Sequence, residues 1–177
     1  PAPGGPARAA ATRNALAAAM PASYGPHLAL FAALEAALPG HRLVGDSTKP
    51  VYTATEFLHR PAPRRFFSAS TGFGTLGYAL PAAIGAMIAD PDVPAVALVG
   101  DGGLMFTLPE LAVAVANRVP VVVVVWNNGG YAEIRDAMVA KAIAPLGVTH
   151  PSPDIAAIAA GFGCPAARAR GIDEVVT

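Results

Sequence analysis

Ala95-Val96-Ala97-Leu98-Val99-Gly100-Asp101-Gly102-Gly103 decides the fold of this chain, read together with Val121-Val122-Val123-Val124-Val125-Trp126-Asn127-Asn128 downstream. Each stretch is a short apolar run, strand-length, closed by a polar cluster. One helix-length segment separates them, which predicts a strand–helix–strand unit with parallel strands. An unbroken valine run suits a strand covered on both faces. The two polar clusters then fall at the carboxyl ends of neighbouring strands, the edge where open α/β sheets bind ligands. A carboxylate at Asp101 and an amide oxygen at Asn128 can share one hard cation there. Magnesium takes oxygen ligands and bridges protein to phosphate. Gly102 and Gly103 let backbone N–H groups come close to an anion.

Outward from this unit, the pattern predicts helices over 27–38, 77–89, 131–142 and 154–161, and short strands over 41–44, 65–68 and 166–169. In the first helix Leu28, Phe31, Ala32 and Leu34 form the expected buried face, and Pro39-Gly40 ends it. Gly45-Asp46-Ser47-Thr48 reads as a polar turn. Thr107-Leu108-Pro109-Glu110 reads as a capping box, with Thr107 as N-cap of a helix that buries Leu111, Ala112, Val115 and Ala116. Residues 7–20 have helical length without an apolar stripe, and 1–26 reads as a linker from an upstream domain. Residues 173–177 read as the start of a helix, so the expectation is a domain over 27–177 truncated at its C-terminus. The architecture expected is three-layer α/β/α around a mainly parallel sheet.

The chain has 177 residues, a formal net charge of zero and 18 residues each of glycine and proline. That length builds one full core. No basic cluster marks a nucleic-acid surface, and no apolar run approaches the length of a membrane helix. Cys164 is the only cysteine, which fits a reducing, cytoplasmic setting. The four histidines are scattered and read as surface or loop residues. Glu35, Glu56, Glu110, Glu133 and Glu174 read as surface or capping residues.

Gly72, Gly74 and Gly77 satisfy G-x-G-x-x-G, and Asp101 ends the next strand, so a dinucleotide-binding dehydrogenase domain is one alternative. Asn127-Asn128 has no role in that fingerprint. Asp-Gly and Asn-Gly are also ordinary turn chemistry. Their joint placement, one helix apart at one sheet edge, argues for a site. A non-catalytic assembly module that keeps the fold is the other alternative.

The stretch 100–128 resembles the thiamine-diphosphate motif, Gly-Asp-Gly followed within thirty residues by Asn-Asn. The spacing is that of the acetolactate synthase and 2-oxo acid decarboxylase family. Gly74-Thr75-Leu76-Gly77-Tyr78-Ala79-Leu80-Pro81-Ala82-Ala83-Ile84-Gly85 and Pro109-Glu110-Leu111 resemble the same family, and the likeness runs from His27 to the end. Gly45 to Tyr52, with Trp126, is most similar to a guanidino-2-oxo acid decarboxylase branch, with acetolactate synthase as the alternative.

The resemblance implies roles. Asp101 and Asn128 would bind magnesium through side-chain oxygens and Gly130 through its carbonyl, the metal bridging both phosphates of thiamine diphosphate. Gly102 and Gly103 would donate N–H groups to phosphate, with Ser47 and Thr48 as further contacts and Asp46 disfavoured by its charge. Leu76 would hold the cofactor bent, with Thr75 beside it. The Gly74 carbonyl and Leu76 N–H would meet the pyrimidine. Tyr131, Ile134 and Met138 would border a 2-oxo acid substrate. The cofactor's C2 carbanion would attack that substrate, with the thiazolium as electron sink. The activating glutamate is expected on a pyrimidine-binding domain of the same or a partner subunit, in a homodimer or homotetramer. No catalytic residue is therefore expected in this chain.

Overall fold

The computed structural model describes residues 4–149, 151 and 153–175. Helix α1 covers Gly5–Ala18 and buries none of its residues. Helix α2 (Gly25–Ala37) leads into strand β1 (Arg42–Gly45), helix α3 (Lys49–Phe57) and strand β2 (Phe66–Ser68). Helix α4 (Ala79–Ala89) precedes strand β3 (Ala95–Gly100), helices α5 (Asp101–Thr107) and α6 (Glu110–Ala116), and strand β4 (Val122–Trp126). Helices α7 (Ala132–Ala140) and α8 (Ile155–Gly161) follow, then a 3-10 turn at Ile172–Glu174.

All four strands are parallel, in the order β2-β1-β3-β4. Successive side chains point to opposite faces of a strand, so β1 and β3 feed two cores. Val44, Ala97 and Val99 pack with Leu80, Ala83, Ile84 and Met87 of α4 and with Leu104, Leu111 and Ala159. Leu43, Val96 and Leu98 pack with Leu30, Phe31 and Leu34 of α2 and with Val51 and Ala54 of α3. This is the three-layer α/β/α arrangement expected from the sequence. The chain adds β2 on one side of β1 and β3 on the other, so the connections leave on opposite faces. The crevice between the carboxyl ends of β1 and β3 is a topological switch point.

Several local expectations are corrected. The segment between β3 and β4 holds two helices, because α5 starts directly at Asp101. Thr107 is thus the last residue of α5 rather than an N-cap, and its hydroxyl donates to the Gly77 carbonyl at 3.0 Å. Helix α6 starts after Pro109 with no side-chain cap and buries Leu111 and Ala114, leaving Ala112, Val115 and Ala116 exposed. In α2 the buried stripe is His27, Leu30, Phe31 and Leu34, while Leu28 is half-buried and Ala32 exposed. His27 and His41 are both buried, so neither is a surface residue.

Strand β4 lies at the edge of the described sheet and is only half-buried, with Val122 exposed. Val123 and Val125 pack on one core and Val124 and Trp126 on the other, so both faces are in contact but neither is fully buried. Helix α3 follows the polar turn without delay, and residues 166–169 form no strand. Residues 173–175 belong to a single 3-10 turn and its end, while Val176 and Thr177 lie outside the described residues. So does His150.

Candidate cofactor and cation site

Three strands deliver the site. β1 ends in the turn 46–48, β3 runs into the first turn of α5, and β4 ends in the loop 127–131. Because β3 lies between β1 and β4, Asp101 is flanked by both loops. It is fully buried. Its Oδ2 accepts from the Gly130 N–H at 3.0 Å and its Oδ1 from the Asn128 N–H at 3.4 Å. Gly130 has φ 131°, in the region that favours glycine. Its strand-like pairing with Thr149, and the bond from the Tyr131 N–H to the Val148 carbonyl at 2.9 Å, pin the loop from the far side.

The Asn128 amide lies 3.3 Å from Asp101 Oδ1 and 2.9 Å from the Gly130 carbonyl oxygen. With its NH2 on that side, it donates to both. Turned over, its oxygen joins a carboxylate oxygen and a carbonyl oxygen within about one cation's reach of each other. That donor set, hard oxygens with one formal charge, fits magnesium. Among the described residues no three His, Cys, Asp or Glu side chains converge on a metal-binding group, so an oxygen set mixing side chain and backbone is the candidate.

Gly102 and Gly103 are buried in the first turn of α5, where N–H groups lack intrahelical acceptors. Glycine at 103 reflects a close approach: a Cβ there would stand 3.3 Å from Asp46 Oδ2. Across the crevice, Thr48 is buried and Ser47 half-buried. The Ser47 hydroxyl donates to the Gly74 carbonyl at 2.8 Å. Two expected cofactor contacts are therefore bonded to each other, and a pyrimidine at Gly74 would share that carbonyl with Ser47. Gly74 is half-buried, Thr75 exposed and Leu76 half-buried in the turn leading to α4. Tyr131 is half-buried and immediately precedes α7.

Asp46 is the residue that sequence reasoning missed. It is fully buried and accepts from the N–H groups of Ser47 (2.7 Å) and Gly77 (2.8 Å). Burial pushes its carboxyl up from the usual value, and the N–H groups of Ser47, Gly77, Ala79 and Tyr78 pull it back. Asp46 is thus a clamp between the β1 turn and the start of α4. The signal was an aspartate facing a glycine-rich turn, where backbone N–H groups need an acceptor.

The fold and this edge define a parallel α/β domain whose strand ends bring a buried carboxylate, a side-chain amide and backbone N–H groups together. Known proteins share this architecture. The sequence pattern of the family described as "Thiamine pyrophosphate enzyme, C-terminal TPP binding domain" matches residues 44–176. The chain belongs to that family of thiamine-diphosphate-dependent enzymes. A Pseudomonas aeruginosa protein named "Probable 2-ketoarginine decarboxylase AruI" is 40% identical over 151 residues, 84% of this chain and 27% of that protein. Acetolactate synthase of Bacillus subtilis is 36% identical over 106 residues, 60% of this chain and 19% of that enzyme. The solved thiamine diphosphate-dependent 4-hydroxybenzoylformate decarboxylase of Rhodococcus jostii RHA1 superposes with a TM-score of 0.75 at 26% identity, covering 85% of this chain and 28% of that one. The chain spans 19–28% of the length of these three relatives.

Proposed function

We propose that this chain is the part of a thiamine-diphosphate-dependent 2-oxo acid decarboxylase that holds the cofactor and its magnesium ion. The fully buried Asp101, with the Asn128 amide between its carboxylate and the Gly130 carbonyl, carries this reading. Asp101, Asn128 and Gly130 hold the cation. Gly102, Gly103, Ser47 and Thr48 bind the diphosphate, and Gly74, Thr75 and Leu76 orient the pyrimidine. Tyr131 borders the substrate. The bound cofactor supplies a nucleophilic carbon and an electron sink for loss of carbon dioxide. The chain's own residues bind and orient, and proton transfer falls to a glutamate on the pyrimidine-binding domain. We place the assembled enzyme in the cytoplasm as a homodimer or homotetramer.

The 40% identity to a protein named for 2-ketoarginine favours a 2-oxo acid with a guanidino group as substrate. The similarity to acetolactate synthase supports carboligation as the alternative outcome, and product analysis of the assembled enzyme separates the two.

The first experiment is a calorimetric titration of thiamine diphosphate with magnesium, then with EDTA. Binding that needs magnesium and disappears in Asp101→Ala is the expected result. Equal binding in Asp101→Ala rejects the cation assignment. Protection by NAD without magnesium would favour the dehydrogenase alternative.

A further inference from the structure

His27 lies in the first turn of α2, on the stripe that carries Leu30, Phe31 and Leu34. It is 8% exposed. Its Nδ1 lies 2.7 Å from Thr53 Oγ1, and Thr53 is fully buried on α3. On the other side the imidazole meets the Trp126 indole edge-to-face, with centroids 5.1 Å apart and planes at 78°. Tyr24 stands 6.0 Å away, ring to ring. Burial, and after it the Lys49 ammonium, hold His27 below its usual range. The ring is therefore uncharged at neutral pH.

These contacts matter because of where they lead. Helix α3 starts one residue after Thr48, and Trp126 is the residue before Asn127. The turn 46–48 and the loop 127–131 grow from β1 and β4, which are not neighbours in the sheet. No strand pairing sets one against the other directly. His27 touches the elements behind both. We propose that His27 is a positioning residue of the cofactor site: by joining Thr53 to Trp126 it fixes the loop of Asn128 and Gly130 against the turn of Ser47 and Thr48. This rests on the functional reading above, but its first test needs no cofactor.

That test is amide hydrogen exchange at Gly130 and Asn128, whose N–H groups donate to Asp101. Thr53→Val keeps the shape and removes the hydroxyl, whereas Thr53→Ser keeps the hydroxyl and removes a methyl. A positioning role makes the Gly130 amide exchange about tenfold faster in Thr53→Val, the equivalent of one buried hydrogen bond. It leaves Thr53→Ser near wild type and β3 protection unchanged in both. A packing role alone gives the reverse order, and equal Gly130 exchange in wild type and Thr53→Val overturns the proposal. His27→Phe, which keeps the ring edge, is expected to match Thr53→Val, with no further effect when the two are combined. Titration with thiamine diphosphate and magnesium forms a second arm, with about tenfold weaker binding expected in Thr53→Val than in Thr53→Ser. If no variant binds cofactor while the exchange pattern holds, the functional reading fails and the coupling of the two loops stands.

Discussion

At the scale of single residues, the turn before α4 approaches α5 so closely that a side chain has no room. Gly77 has φ +85°, and a Cβ there would come within 2.9 Å of Phe106 Cβ and Thr107 Cγ2. Left-handed strain and overpacking add, so Gly77→Ala is expected to destabilise the chain by about 2–4 kcal/mol. The check is the urea midpoint at constant slope. Asp46→Leu would strand the buried N–H of Gly77, at about 1–3 kcal/mol, and free the part-buried N–H of Ser47. The meeting of Asp101 and Asn128 at one sheet edge was readable because each closes a strand-length apolar run, whereas Gly130 was legible only through the family resemblance. Asp46 was not, because its charge argued against an anion site, while it accepts from the adjacent Ser47 N–H and from the Gly77 N–H 31 positions away in the chain. His27 was missed for a simpler reason. Taken alone a histidine reads as surface, yet residues 27, 30, 31 and 34 form one helical stripe.

At the scale of elements, two buried imidazoles tie helices to the sheet. His41 is fully buried, and its Nδ1–H donates to the Leu38 carbonyl at 2.9 Å. Its Nε2 lies 2.8 Å from an Arg60 nitrogen and must accept, because a guanidinium only donates. Burial, above all, lowers both histidines from their usual range. The unfolded chain therefore binds more protons than the folded one below about pH 6.5. Stability is full above that pH and falls as pH drops towards the folded values, by up to about 1.4 kcal/mol per pH unit for each histidine. Thermal unfolding between pH 7 and 5 checks this, and His27→Phe is expected to flatten the slope. The elements that sequence reasoning misjudged share a cause. Helix α3 has a start signal in Thr48 and Pro50, but Gly45 to Thr48 carries turn chemistry that masks it. In 107–110 a good local capping pattern lost to a tertiary hydrogen bond, Thr107 to Gly77. The sheet order itself lies in contacts between distant segments, which local periodicity does not carry.

At the scale of the whole molecule, the chain spans 27% of the length of its Pseudomonas aeruginosa relative. With the activating glutamate expected on another domain, the 177-residue chain on its own is expected to release no carbon dioxide from 2-oxo acids. Measured turnover by the purified chain would contradict that division of labour. The described residues contain no helix long and apolar enough to cross a membrane.

The half-covered edge at β4 has a consequence for handling the chain in solution. Residues 121–126 are five valines and a tryptophan with no charge and no proline, and one side of the strand has no partner in the described sheet. Such a segment is a template for intermolecular pairing. Light scattering is expected to rise with concentration at neutral pH, where the formal net charge is zero and colloidal repulsion is weakest. Val122→Lys, at an exposed position on that edge, is expected to suppress it by gatekeeping, without altering the carboxyl ends of the strands.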